Sequence, residues 1–481
     1  MRLYELLEEC TYRDVLNPKD VEIKGVTYDS KSVKRDFIFV ALPGTRKDGK
    51  RFIPEAVEKG AAAVAGDAPV DIKIPLVIVE NPRRFLAEVS WRFYGHPEKE
   101  LRVIGITGTN GKTTTSYLLK SVLEEGNNKT GLIGTIRYFN GKEWIDMPPN
   151  TTPESSIIAS LFSKMVKNRV KFCVMEVSSH ALALDRIFGV EFDAAIFTNI
   201  GKDHLDFHGT MEEYIKAKLK LFRGLKKGFA VLNKDDRFFQ RFAEASRVEK
   251  ITYGVSKRAD IMIRIKNMDM EGMHGEITYR KKIFPFKTSL IGFHNAYNIA
   301  SVFATGVGFG IDEERILKGI EKVKEVPGRM ERIKAENGGY VVIDYAHTPE
   351  ALKNVLLSLK KITKKRIITV FGCGGDRDRE KRPKMGEIAS LYSHHVIITN
   401  DNPRTEDPNK IIEDILKGVK RSHEVILDRH KAIFKAVSML EKNDVVLIAG
   451  KGHEKYQIIN DKKIPFDDKE TAVEAIRVIG K

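Results

Sequence analysis

From Gly105 to Thr115 the chain reads GITGTNGKTTT. Backbone N–H groups in a glycine-rich turn that feeds a helix form a nest for anions. Gly108, Thr109, Asn110, Gly111, Lys112, Thr113 and Thr114 would wrap a nucleotide's phosphates. Lys112 has the reach for the β- and γ-phosphates, and the Thr113 hydroxyl suits a Mg²⁺ shell. The spacing departs from the strict pattern: Ile106 stands where glycine is usual, with Gly105 and Gly108 instead. A strand-like run before the loop (RVIGIT) and a helical run after it (TTTSYLLKSVLEEG) support the phosphate reading. The acceptor of the terminal phosphate stays open, since water, a hydroxyl and a carboxylate each imply a different enzyme. Glu176 in MEVSSH and His204 in TNIGKDHLDFHG both follow apolar runs. One such histidine alone is usually structural. Two such loops beside a phosphate loop point to groups that hold a hard cation with phosphate oxygens.

These residues need elements to position them. RVIGIT, FCVMEV, AAIFTNI and FAVLN are apolar runs of the kind found in buried parallel strands, and amphipathic helical stretches separate them. Ligands of open parallel sheets bind beyond the carboxyl ends of the strands, so the trailing loops should converge. The first 95 or so residues hold short β-like runs and end in the charged, proline-bearing YGHPEKE. After residue 250 the chain reads as antiparallel strands, then a helix from His294 to about Gly308. KEVPGRMER reads as a hinge, with Val326–Arg329 closing the site against water. Beyond it YVVIDYAH, RIITVFG, HVIITN and DVVLIAG resume the alternation. The expected fold is α/β with three domains: a small mixed α/β unit over 1–98, a P-loop-type parallel sheet with helices on both faces over 99–326, and a Rossmann-like doubly wound unit over 327–481.

A length of 481 residues fits about three domains. Three distant cysteines, Cys10, Cys173 and Cys373, make neither a disulfide framework nor a zinc pattern, which suits a reducing cytoplasm. No apolar run is long enough to span a membrane, and the N-terminus lacks a signal-peptide core. The net charge of +16 admits nucleic-acid binding, a lysine- and glutamate-rich surface, or a cleft for polyanionic substrates. Aromatics are not interleaved with the basic stretches, so nucleic acid is disfavoured.

Taken in order along the whole chain, GTNGKTT, MEVSSHAL, TNIGKDHLD, GFHNAYNIA, VPGRMERI and DYAHTPEAL resemble the Mur ligases. NTTPES, DNPRTEDP and AGKGHE narrow the resemblance to members that add the third residue of the peptidoglycan stem peptide. The resemblance implies an ATP- and Mg²⁺-dependent, amide-forming enzyme whose phosphate acceptor is a carboxylate. Its partners would be UDP-N-acetylmuramoyl-L-Ala-D-Glu and meso-diaminopimelate, and it would act as a cytoplasmic monomer. It implies a catalytic set of Lys112, Glu176, His204 and Lys218, with Thr113, Glu176, His204 and a carbamylated Lys218 as metal ligands. From residues alone Lys218 would be a helix-surface lysine between Lys216 and Lys220. Asn295, Asn298, Arg329 and Asp344 resemble further ATP contacts, and His347 suits local turn bonding equally well. Ser30, Thr45, Arg46, Lys47, Asn150, Thr151, Thr152, Ser178 and Arg186 resemble contacts to the muramoyl dipeptide. Lys31 and Leu184 depart from the family's arginine and glutamine. Arg377, Asp401, Asn402, Pro403, Arg404, Gly450 and Glu454 resemble the amino-acid site. There a guanidinium fork suits the far carboxylate of diaminopimelate and Glu454 its ammonium.

Two other readings stand beside this one. A lysine-adding ligase of the same family would differ at DNPR. A nucleic-acid-stimulated P-loop ATPase would use the positive charge and bind in a salt-sensitive way.

Overall fold

Arg102–Thr107 lies between Phe172–Glu176 and Phe192–Phe197, both parallel to it, near the middle of an eleven-stranded sheet. Its side chains alternate between two buried faces, as the pleat requires. Val103 packs in one apolar cluster with Ile158, Phe162, Tyr214, Leu219 and Phe222. Ile104 and Ile106 pack in another with Leu118, Leu119, Val122, Ala296 and Ile299. The helices Ser155–Lys167 and Met211–Arg223 thus cover one face, and Lys112–Glu125 and His294–Gly308 the other. Burial on both sides explains the unbroken apolar character of these runs. The computed structural model describes residues 1–44, 48–146, 150–363, 365–460 and 462–481.

The parallel run continues through Phe229–Asn233 and Glu249–Gly254 to Ile261–Asp269. It then turns antiparallel through Gly272–Tyr279 and Lys282–Thr288, as the sequence after residue 250 suggests. The other edge carries strands the sequence reading omits: Thr130–Ile133, Arg137–Phe139 and Trp144–Asp146. Arg137–Phe139 and Trp144–Asp146 are short and only partly buried, so they carry no apolar run to mark them.

A five-stranded sheet precedes this one, in the order Asp14–Leu16, Leu76–Ile78, Ala63–Gly66, Phe37–Val40, Gly25–Thr27. Its first strand is antiparallel to its neighbour and the rest are parallel. The helix Pro82–Tyr94 starts at Asn81, whose side chain accepts from Arg83 N and Arg84 N, and stops at Gly95 in the left-handed region. Trp91 on this helix donates to Phe188 O at 2.9 Å, and Arg83 pairs with Glu154 at 3.0 Å. These contacts fix the first sheet against the second.

A six-stranded sheet ends the chain: Glu331–Lys334, Tyr340–Asp344, Val445–Ala449, Ile367–Phe371, His395–Ile398, His423–Val425. All but the first are parallel, and helices pack on both faces. Arg429 and Asp468, each 0% exposed, pair inside it through two hydrogen bonds of 2.8 Å. The same guanidinium donates to Asn400 O at 3.2 Å and Ala449 O at 3.1 Å. No helix among the described residues is long and apolar enough to cross a membrane.

Candidate active site

The glycines of the phosphate loop are required by close approach. Gly108 has φ +150°, and a Cβ there would lie 1.9 Å from Thr198 Oγ1. Gly111 has φ +90°, and a Cβ there would lie 2.5 Å from Asn298 Oδ1. Loop and neighbouring strand end are laced together. Asn110 N donates to Asn199 Oδ1 at 3.0 Å, and Thr198 Oγ1 donates to Asn110 O at 2.7 Å. Gly111 also leaves the first turn of Lys112–Glu125 without a side-chain cap, so its backbone N–H groups are available to phosphate oxygens.

Two lysines meet at one carbonyl. Lys112 Nζ and Lys218 Nζ each donate to Gly108 O at 2.9 Å. Lys218 is 1% exposed, although its helix neighbours Lys216 and Lys220 are about half exposed. Burial, and after it the charge of Lys112, hold the Lys218 pKa well below the usual lysine range. Burial lowers that of Lys112 as well.

Glu176, fully buried at the end of its strand, accepts from Thr113 Oγ1 at 2.9 Å. It also accepts from Thr135 Oγ1 at 2.8 Å and Thr135 N at 3.0 Å. Thr135 is a contact the sequence reading missed, and its hydroxyl also meets Thr151 Oγ1 at 3.1 Å. Gly134 leaves room for the carboxylate, since a Cβ there would lie 2.3 Å from Glu176 Oε1. His204 has φ +54°, stands with its ring 4.7 Å from that of His180, and is 44% exposed. Among the described residues no three His, Cys, Asp or Glu side chains stand together as a cation site. The donor set nevertheless fits Mg²⁺ in kind: a hydroxyl and a carboxylate beside the phosphate nest, and a buried lysine whose carbamate would add a third oxygen ligand.

Asn298 Nδ2 donates to Asn295 Oδ1 at 2.7 Å, and Asn298 faces Thr115 and Gly111. Arg329 reaches back to the phosphate loop. Its Nη2 donates to Thr113 Oγ1 at 3.3 Å and its guanidinium lies 4.5 Å from the Tyr345 ring. Asp344 accepts from Met330 N and Ala346 N, both at 2.8 Å, and burial raises its pKa. His347 Nδ1 lies 2.9 Å from Tyr345 O, a local turn contact.

Ser30 donates to Glu55 at 2.7 Å. Thr45, Arg46 and Lys47 lie outside the described residues. Asn150 O accepts from Tyr138 at 2.6 Å. Thr152 donates to Glu176 O at 2.8 Å and accepts from Ser178 N at 3.0 Å. Arg186 donates to Thr152 O at 3.1 Å and pairs with Glu154 at 2.8 Å. Thr152 thus touches Glu176, with Ser178 and Arg186 joined to it through Thr152 and Thr151 through Thr135, whereas Asn150 meets Tyr138.

At the carboxyl ends of the third sheet, Arg404 sits in the left-handed region and donates to Gly375 O at 2.8 Å. Its backbone N donates to Ile458 O at 3.0 Å, and Gly375 N donates to Asn402 O at 2.9 Å. Arg377 follows on the same loop, where its Nη1 approaches Asp376 O at 3.4 Å. Gly450 has φ +115°, and a Cβ there would lie 2.6 Å from Asp401 Oδ2. Asn402 donates to Glu454 at 2.9 Å. So Asp401, Asn402, Pro403, Arg404, Gly450 and Glu454 come together, joined by Lys451, which the sequence reading left out although it lies inside AGKGHE.

Three family descriptions match the chain: "Mur ligase family, catalytic domain" over residues 22–94, "Mur ligase middle domain" over 106–306, and "Mur ligase, glutamate ligase domain" over 328–452. A UDP-N-acetylmuramoyl-L-alanyl-D-glutamate–2,6-diaminopimelate ligase of Clostridium acetobutylicum is 44% identical over 484 residues, covering 99% of both chains. One of Aquifex aeolicus is 44% identical over 456 residues, covering 94% of both. A solved structure of an enzyme with the same activity name is 31% identical, covers 95% of this chain and 96% of its own, and superposes with a TM-score of 0.67.

Proposed function

The chain belongs to the Mur ligase family, and from that premise we propose that it joins meso-diaminopimelate to the D-glutamyl carboxylate of UDP-N-acetylmuramoyl-L-Ala-D-Glu. It is an ATP-dependent, ADP-forming ligase of peptidoglycan precursor synthesis. The observation that carries the reading is one carboxylate, Glu176, bonded both to the phosphate loop through Thr113 and to the Thr151 loop through Thr135. These contacts support reading the two loops as adjoining seats for a phosphate donor and a carboxylate acceptor.

The chemistry follows from that juxtaposition. A carboxylate is a poor electrophile with a poor leaving group. A carboxylate oxygen bonds to the γ-phosphorus as the bond to ADP breaks. The deprotonated amine then bonds to the carbonyl carbon, the carbon–oxygen bond to phosphate breaks, and amide, ADP and phosphate result. Two anions must meet, so the site supplies positive charge aimed at the phosphate. Lys112 supplies it directly, and Arg329 stands on Thr113 within reach of the same oxygens. Thr113, Glu176, His204 and a carbamate on Lys218 would hold Mg²⁺, which when bound neutralises phosphate charge. A carbamate also resolves the crowding of two lysines on Gly108 O, because it turns one cation into an anion.

Asn295, Asn298 and Asp344 complete the nucleotide site. Ser30, Asn150, Thr151, Thr152, Ser178 and Arg186 receive the muramoyl dipeptide. Arg377, Arg404, Asp401, Asn402, Gly450 and Glu454 receive the amino acid. The enzyme works as a cytoplasmic monomer, with units 1–98, 99–326 and 327–481 taking sugar nucleotide, ATP and amino acid respectively. The test is phosphate release from ATP in the presence of UDP-N-acetylmuramoyl-L-Ala-D-Glu. Meso-diaminopimelate, L-lysine, D-lysine or no amino acid is added in parallel. Release with diaminopimelate alone is expected. Equal release with lysine would remove the substrate assignment, and no release with any amine would remove the ligase.

A further inference from the structure

One charged side chain of the amino-acid pocket is turned wholly inward. Lys451 is 0% exposed, and its Nζ donates to Asn402 Oδ1 and to Glu454 Oε2, both at 3.1 Å. Asn402 closes the triangle, donating from Nδ2 to the same Oε2 at 2.9 Å. Its Oδ1 also accepts from Ile458 N at 3.0 Å, so the amide is engaged within the protein. Glu454 is 20% exposed, and its Oε1 accepts no hydrogen bond among the described residues. One oxygen of the carboxylate is anchored and the other is left for a ligand.

We infer that Lys451 is a specificity-determining positioning residue: it anchors Glu454 and offsets its charge, which matches the pocket to a zwitterionic head rather than to a lone ammonium. The inference rests on the diaminopimelate reading above. The far end of diaminopimelate carries an ammonium and a carboxylate, with no net charge. The far end of lysine carries +1 alone. With Lys451 in place, a lone ammonium meets a carboxylate already paired, so it gains little. A zwitterion gains from both signs, its carboxylate toward arginine and its ammonium toward Glu454 Oε1. Without Lys451 the pocket carries one more negative charge. That favours a lone cation and repels the ligand carboxylate. A purely space-filling role is a poor account of Lys451, because an apolar chain of similar length would fill the volume without burying a charge. Such a chain could not hold Glu454 Oε2 and Asn402 Oδ1 together.

The test compares wild type, Lys451→Met, Lys451→Gln and Lys451→Arg by phosphate release at saturating ATP and UDP-muramoyl dipeptide. kcat/KM is measured for meso-diaminopimelate and for L-lysine. The preference for diaminopimelate over lysine is expected to fall about tenfold or more in Lys451→Met and Lys451→Gln, the order expected of one charge a few ångströms from the ligand. Lys451→Arg should hold the preference within about twofold, and the KM for ATP should not move in any variant. If both substrates lose kcat/KM equally in Lys451→Met, the role is structural and the inference fails. Should that variant not fold, Lys451→Gln, which keeps a hydrogen-bonding group, separates the same two outcomes. A wild-type enzyme inactive with diaminopimelate would overturn the substrate reading and this inference with it. A preferring wild type with an equally preferring Lys451→Met would overturn the inference alone.

Discussion

Asp468→Ala should loosen the edge of the third sheet that carries the loops proposed to receive the amino acid. The Arg429–Asp468 pair is fully enclosed, and the guanidinium also holds Asn400 O and Ala449 O. Those two carbonyls immediately precede Asp401–Arg404 and Gly450–Glu454. Removing the carboxylate strands a buried guanidinium, a loss of about 3–5 kcal/mol for a pair of this kind. The two backbone acceptors that remain argue for the lower end, about 3 kcal/mol. Arg429→Met combined with Asp468→Leu leaves no buried charge, only two carbonyls short of a donor, and should cost about 1–2 kcal/mol. Urea unfolding, with amide exchange of Val445–Ala449 as the local probe, measures these costs. Phosphate-release kinetics should show the KM for the amino acid rising in Asp468→Ala while that for ATP stays put. A single-variant cost under about 1 kcal/mol, or a double variant costing the sum of the two singles, would refute the reasoning.

Gly134→Ala would bring a methyl group against Glu176 Oε1, so activity should drop at least about tenfold with the fold intact by circular dichroism; near-normal turnover would show that the carboxylate can shift freely. Thr135→Val removes the hydroxyl that joins Glu176 to Thr151 and should cost about 1–2 kcal/mol in stability, read by thermal melting, together with a fall in kcat. Acidification should weaken the fold through His294 and His453, whose pKa values burial lowers from 6.5 to about 4 and about 3. At pH 5 the unfolded chain holds more protons on these rings than the folded one, so stability falls as pH drops from about 6.5, by about 2 kcal/mol for each ring at pH 5. Urea midpoints that do not move between pH 7 and 5 would contradict this.

The phosphate loop and its strand were legible because local rules govern them: an apolar run, close-packed glycines and a helix start. The helix His294–Gly308 and the antiparallel strands of 261–288 were legible for the same reason. Arg137–Phe139 and Trp144–Asp146 were not, although strands as short as Phe37–Val40 were, because they are only partly buried, lack an apolar run and are held by pairing. In the site, Glu176 was singled out as a strand-end residue and Lys218 only through the resemblance, while the partner that fixes Glu176 was missed. Thr135 sits in an unremarkable GTI triplet, and only the sheet order brings it to that carboxylate. Lys218 illustrates the limit from the other side. Its neighbours make it look like a surface lysine, and only the packing of the helix Met211–Arg223 shows that it points inward.

The phosphate loop is closed by residues far along the chain. Thr113 meets Glu176 across 63 positions and Arg329 across 216, while Gly108 meets Lys218 across 110. A pairing pattern of such high contact order forms late and slowly. A chain truncated after the loop would carry the whole glycine motif and none of the groups that shape it. Nucleotide is therefore a ligand of the finished sheet alone, and at a hundred times its dissociation constant it would add about 2.7 kcal/mol to the stability of the state it binds. Cellular ATP thus acts on this enzyme twice, as phosphate donor and as a thermodynamic brake on its unfolding.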